Sequence, residues 1–218
     1  MEKKYVLKVV RSDLTTRDGF KWGGVGETTV ALDWDPTPEC GSGLHGWLNG
    51  VGDIRCQSIS ESDDALWLAL EVEGEVVDLG GKVKFEKAKT LYVGTMSEAA
   101  TVVADLAGEQ GPVIGITRSG GDGSTILGGY SSKVSGGSDS VVSGGEGSTV
   151  SGGEGSTVSG GDRSMVSGGS HSPASGRSHS TVSGGHWSTV SGGDRSTVSG
   201  GDESTVSGGD GSDRKSVV

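Results

Sequence analysis

The chain has 218 residues, 43 of them glycine, with five tryptophans, two cysteines and a formal net charge of -11. An acidic chain without a broad basic patch is a poor partner for nucleic acid, two cysteines are too few for a secreted disulfide framework, and no apolar run approaches a membrane span. Most of the glycines lie from Ile116 onward, whereas Trp22, Trp34, Trp47 and Trp67 precede it, so the first part has the material of an ordinary core and the second has not.

The N-terminal apolar run is cut by Lys8 and Arg11 before it reaches signal-peptide length, which implies a cytoplasmic or virion-associated protein. Tyr5 to Val10 is a β-branched run that predicts a first strand, with a turn at Arg17-Asp18-Gly19 after it. Phe20 and Trp22 read as core anchors. Thr28 to Leu32 predicts a second strand, stopped by Asp35-Pro36-Thr37-Pro38. From Glu39 to Gly52 the density of glycine predicts an irregular loop. Ala65 to Val72 is the strongest central-strand candidate, and Val76 to Leu79 with Val83 to Phe85 predict a hairpin around Gly80-Gly81. Leu91 to Gly94 predicts a last short strand. Ser97 then caps a helix running to about Ala107, which Gly108 and Gly111-Pro112 end. The expected product is a small α+β domain over residues 1–115.

Three residues here carry candidate chemistry. Cys40, His45 and Cys56 could supply three metal ligands, but a structural zinc site wants four and no fourth Cys or His exists in this domain, so no metal is expected. Cys40 and His45 as nucleophile and base lack a third, orienting residue, and a structural loop in which Cys40 packs and His45 satisfies backbone groups is the simpler reading. Lys82, Lys84 and Lys87 read as an exposed strand face.

The N-terminal part resembles a family of small uncharacterised domains of actinobacteria and bacteriophages. The resemblance rests on Asp13-Leu14-Thr15 with Gly19-Phe20-Lys21-Trp22, on Cys40-Gly41-Ser42-Gly43-Leu44-His45-Gly46, and on Gly81 to Phe85 with Tyr92-Val93-Gly94. It implies a context in which octapeptide repeats follow, and no particular activity. The Gly-Leu-His loop, followed by Glu71, Glu73 and Glu75, is also loosely similar to the binding loop and late glutamate of ADP-ribosyltransferases, which makes a transferase the enzymatic alternative.

From Ile116 to Gly211 an eight-residue unit close to Ser-Thr-Val-Ser-Gly-Gly-x-x recurs twelve times without a change of spacing. A flexible linker has no need of an apolar residue once per octad. Eight extended residues are too short to close a coil with two strands and two corners, whereas sixteen suffice, so twelve octads predict a parallel β-solenoid of about six coils, roughly 30 Å long. Alternation along each strand places Val134, Val142, Val150, Val158, Val166, Val182, Val190, Val198 and Val206 inside, with a serine stack beside them. It places Thr149, Ser151, Thr157, Ser159, Thr181, Ser183, Thr189, Ser191, Thr197, Ser199, Thr205 and Ser207 outside as a ladder. Gly-Gly and the variable pair form the corners, where His171, His179, His186 and Trp187 fall. Pro173 and Ala174 predict a local bulge, Arg118 makes the first octad transitional, and residues 212–218 form a polar tail. Since one valine per octad cannot offset the ordering of eight residues, the rod needs a full ladder of backbone hydrogen bonds and covered ends, one of them capped by the first domain.

Gly147-Ser148-Thr149-Val150-Ser151-Gly152-Gly153-Glu154 resembles the octapeptide of bacterial ice-nucleation proteins, which implies sixteen-residue β-solenoid coils and an ice or ordered-water ligand. The outward pair is Thr-x-Ser here and Thr-x-Thr there, a weaker array. The reading is therefore a non-enzymatic structural repeat protein, without catalytic residues, metal or cofactor, whose partner is ordered water or a second copy in a homo-oligomer. A phage structural or receptor-binding appendage is the alternative.

Overall fold

The computed structural model describes residues 3–16, 19–56 and 64–216. Arg17 and Asp18 of the expected turn lie outside them. The chain divides into two compact units, Met1–Glu109 and Gln110–Val218.

In the first unit the strands are β1 (Lys4–Val10), β2 (Thr28–Val30), β3 (Leu44–Leu48), β4 (Leu66–Asp78) and β5 (Val83–Gly94), followed by helix α1 (Met96–Ala107). All the pairings are antiparallel, and the path β4–β1–β3–β5 returns to β4, with β2 added on β5. Alternation along β1 sends Val6 and Val10 into a core shared with Trp22, Leu44, Leu68, Leu70 and Phe85.

The expected loop at 39–52 contains β3, a strand in the middle of the sheet. A Cβ at Gly46 would stand 2.7 Å from the Leu7 carbonyl oxygen and in collision with the Val6 side chain, so glycine is what lets β3 approach β1. The two short strands expected at Val83 and at Leu91 are one strand, β5, which continues with a register shift against β4. The second expected strand is shorter at its end, and Leu32 is 99% exposed. Phe20 is no core anchor at 38% exposure, whereas Trp22 is one at 2%. The helix begins two residues earlier than expected: Thr95 is the N-cap and forms a capping box with Glu98, whose carboxylate accepts from Thr95 Oγ1 at 2.6 Å. Gly108, with φ 64, closes it.

The second unit is a parallel β-solenoid with two octads per coil. One wall has seven strands: Thr117–Ser119, Lys133–Ser135, Thr149–Ser151, Met165–Ser167, Thr181–Ser183, Thr197–Gly200 and Asp213–Ser216. The other has six: Thr125–Leu127, Val141–Ser143, Thr157–Ser159, Pro173–Ser175, Thr189–Gly192 and Thr205–Gly208. Residues sixteen apart stand opposite one another, as Val150 does with Val134 and Val166. The polar tail is thus partly a strand, because Asp213–Ser216 pairs with Thr197–Gly200.

Ile126, Val134, Val142, Val150, Val158, Val166, Ala174, Val182, Val190 and Val198 form one continuous buried core, with Val206 packed against its end. Beside them runs a column of serines from Ser132 to Ser196, none more than 2% exposed. The Ser156 hydroxyl accepts from the Ser140 N–H at 3.1 Å and donates to the Gly137 carbonyl at 2.9 Å. The same two bonds recur at Ser148, Ser196 and Ser204. Each glycine of the pair has its own steric task. A Cβ at Gly152 would stand 2.7 Å from Ser156 Cβ and Val158 Cγ2 on the facing wall; one at Gly153 would stand 2.8 Å from the backbone of the coil beneath. The last residue of each octad is left-handed, including Asp139, Arg163, His171, His179, Trp187, Arg195 and Glu203 with φ from 53 to 60.

The bulge expected at Pro173 is absent. Ala174 stays in register with Val158 and Val190. Proline removes the N–H that Thr157 and Met165 donate to the carbonyls of Ser140 and Ser148, and the neighbouring pairings hold the strand in place. In the transitional first octad, Arg118 turns its guanidinium to the carbonyls of Gly111 and Leu127 at 2.8 and 3.2 Å.

Ser156→Ala leaves the buried Ser140 N–H unpaired, while the Gly137 carbonyl keeps the Gly153 N–H, and should cost about 1–3 kcal/mol, whereas exposed Thr157→Ala should stay within about 0.5 kcal/mol. Urea unfolding of the full chain, followed by the β signal in circular dichroism, separates the two; equal losses would contradict the serine column. His179→Gly, at φ 60, should stabilise the solenoid by about 0.5–1 kcal/mol in the same measurement by relieving left-handed backbone.

Candidate functional site

Two places concentrate exposed or unusual chemistry, one in each unit. On the solenoid, the first and third residues of every strand face away from the valine core. Because successive octads go to opposite walls, the outward residues separate into two arrays. Thr149, Thr181 and Thr197 share one wall with Ser151, Ser183 and Ser199; Thr157, Thr189 and Thr205 share the other with Ser159, Ser191 and Ser207. The threonines are exposed, and the serines, except Ser207, are half-buried. Thr117 and Thr125, not singled out in the sequence, belong to the same columns.

The threonine columns are interrupted. Lys133 and Val141 stand opposite Thr149 and Thr157, and Met165 and Pro173 stand opposite Thr181 and Thr189. Both walls lose threonine in the same coil each time. The longest uninterrupted hydroxyl patch is therefore the pair of coils from Thr181 to Ser207. The corner residues form a separate strip: the Trp187 ring lies 4.3 Å from His186 and 5.0 Å from His171, and its indole N–H donates to Glu203. Trp187 is 51% exposed.

In the N-terminal unit a cleft of about 640 Å³ is lined by Lys8, Trp22, His45, Arg55 and Lys82, with Asp33 as a carboxylate on the same lining. Lys8 lies on β1 between Val6 and Val10, and so on the core-facing side of that strand. Its ammonium is 5.9 Å from the Trp22 ring. Burial, and then the Lys82 charge, push its pKa down to about 8. His45 on β3 is pushed down to about 4, chiefly by burial and then by Lys82, Lys8 and Lys84, against a smaller opposite pull from Asp33. The imidazole Nε2 and the Trp22 Nε1 are buried without a hydrogen-bond partner. His45 thus does not satisfy backbone groups through Nε2.

The lysine pattern departs from the expected exposed face. Lys84, opposite His45 across the β3–β5 pair, is 1% exposed and donates to the carbonyls of Glu39 and Gly41 at 2.9 and 3.4 Å, with Trp34 beneath it. Lys82 donates to Cys40 Sγ at 3.3 Å and to the Cys56 carbonyl at 3.2 Å. The run of lysines from Lys82 to Lys89 carried no sign that Lys84 would tie down a loop and Lys82 would enter a cleft.

Cys40, His45 and Cys56 do line one cleft. Among the described residues, however, no three His, Cys, Asp or Glu side chains are grouped to hold a metal ion, and an ammonium sits on the Cys40 sulfur. The glutamates of the transferase reading do not share a lining with His45. Glu71 pairs with Lys3 at 2.9 Å and Glu73 with Lys87 at 2.7 Å, and Glu71, Glu73 and Glu75 are not on the lining that holds His45. Among the described residues, no helix is long and apolar enough to cross a membrane.

Residues 4–104 match a family described as a domain of unknown function (DUF7666). The chain is also 33% identical over 107 residues to an ice nucleation protein of Pseudomonas fluorescens, a similarity that covers 48% of this chain and 9% of that protein. No solved structure matches.

His45 fixes the sign of an acid dependence. Unfolded histidine takes up its proton near 6.5 and folded His45 near 4, so between those values the unfolded state binds more protons and stability falls as pH drops. His45→Gln should flatten this acid slope in thermal melts of the first unit followed by tryptophan fluorescence. Identical slopes in both proteins would contradict the assignment.

Proposed function

We propose that this chain is a non-enzymatic structural repeat protein whose solenoid walls adsorb to ordered water at the surface of ice. The observation that carries the reading is the in-register stacking of outward hydroxyls on rigid strands. Neighbouring strands put equivalent hydroxyls about 4.8 Å apart along the axis, and alternate residues put the Thr and Ser columns about 6.6 Å apart across it. Such a grid is preorganised, since the backbone ladder holds it before any ligand arrives. The similarity to the ice nucleation protein of Pseudomonas fluorescens, over 9% of that protein's length, supports water as the ligand.

The interruptions decide between growth and adsorption. Starting a crystal demands a large continuous array, whereas binding to ice that already exists needs only a patch. The two coils from Thr181 to Ser207 supply that patch on both walls. Full-length protein at high micromolar concentration should slow ice recrystallisation without raising the freezing temperature of droplets. Thr181→Lys with Thr197→Lys, together with Thr189→Lys and Thr205→Lys on the other wall, should abolish the effect while circular dichroism stays unchanged. Recrystallisation indistinguishable from an albumin control would overturn the ice reading.

A further inference from the structure

The cleft of the N-terminal unit carries a second inference, independent of the solenoid. Ammonium groups are seldom buried without a counter-charge, because desolvation disfavours the charged form. Lys8 nevertheless stands on the core side of β1 with no carboxylate paired to it among the described residues, and Lys82 reaches a thiol and a carbonyl instead of an acid. His45 and Arg55 add two more basic side chains to the same lining, against one carboxylate, Asp33, which is exposed. Two buried polar atoms on lining residues, Trp22 Nε1 and His45 Nε2, are unpartnered, and the indole is on a side chain only 2% exposed. A net-acidic chain has thus placed two ammonium groups without a carboxylate partner among the described residues, Lys8 and Lys82, on one concave lining.

We propose that this cleft binds a small organic anion bearing a phosphate or a carboxylate, with its negative group between Lys8 and Lys82 and its apolar body against Phe20 and Trp22. A volume of about 640 Å³ is more than a bare phosphate ion fills and falls within the range of small-molecule sites. Phe20 meets Trp22 edge-on at 6.0 Å and keeps 38% of its surface exposed, which leaves an aromatic side chain for the ligand's apolar part. The neutral His45 and the indole N–H offer hydrogen bonds that need no charge. An anion also reverses the electrostatics of Lys8. Its pKa, held at about 8 by burial and then by Lys82, rises beside a negative group, so binding near that pH takes up protons. The other charged groups facing it, His45, Arg55 and Asp33, set the baseline from which that uptake is read.

The test uses the full-length chain and three probes: adenosine monophosphate, benzoate, and uncharged adenosine. Calorimetry should give saturable one-to-one binding of at least one of the two anions, weakened by salt, with none for adenosine. Which anion binds distinguishes phosphate from carboxylate. At pH near 8, titration in buffers of different ionisation enthalpy should reveal net proton uptake. Lys8→Met and Lys82→Met should each weaken binding by about tenfold or more. Lys8→Met removes a half-buried charge without a carboxylate partner among the described residues, so its melting temperature should not fall, and lost binding then reports the site and not the fold. No saturable binding of either anion at low millimolar concentration would overturn the proposal. So would adenosine binding as well as the monophosphate, or unchanged affinity in a folded Lys8→Met protein.

Discussion

The solenoid depends on a hydroxyl that is used twice. A coil of sixteen residues encloses two valines and almost nothing else apolar, so hydrophobic burial cannot by itself fix the height of one coil over the next. The interior serine does so. At Ser148, Ser156, Ser196 and Ser204 the Oγ accepts from the N–H one coil before and donates to a corner carbonyl, and so ties strand to corner and coil to coil with one atom. Serine fits because its hydroxyl reaches both groups from a side chain small enough to share the cross-section with valine. The first glycine of the pair serves the same constraint from the other side, since any Cβ there would push the facing serine and valine away. Sequence simplicity in this half is a consequence of narrowness.

The two units solve the problem of polar groups in opposite ways. The solenoid leaves few buried groups unpaired and exposes hydroxyls whose positions the ladder dictates. The N-terminal unit has an ordinary apolar core around Val6, Trp22, Leu70 and Phe85, and can therefore tolerate a costly feature beside it. Lys84 is the contained version of that cost, a buried ammonium satisfied by two loop carbonyls and an aromatic face. Lys8 is the uncontained one.

Periodicity made the repeat half legible. A fixed octad, a required sixteen-residue closure and alternation along a strand determine which residues meet, so the valine core and the one-coil register follow from the sequence by geometry. The same repetition hid the partition between walls. Thr149 and Thr157 look like neighbours in one ladder when the octads are written in a column, yet they stand on opposite walls, and the interruptions at Lys133, Met165, Val141 and Pro173 matter only once that is known. In the first half, β3 was concealed by Gly46, whose lack of a side chain lowers strand propensity while satisfying a contact with β1 that local sequence does not contain. The cleft was concealed for a related reason. Lys8 on β1, His45 on β3 and Lys82 in the turn before β5 lie far apart in the chain, and only the closed pairing path brings them together. Cys40, His45 and Cys56 drew notice as a metal-like trio, while the cations that give the cleft its character looked like ordinary surface charge.

The corners carry one more consequence. Because both walls are built from the same octad and every octad ends in the same left-handed turn, the two halves of a coil are interchangeable. Insertion of a single octad moves all later strands to the opposite wall and still leaves each valine above a valine. Among the described residues, the strand Asp213–Ser216 already leaves the walls unequal at seven and six. Length in this half is consequently open to change by recombination between repeats, in half-coil steps and at little conformational cost, whereas a solenoid with two distinct faces could lengthen only by whole coils.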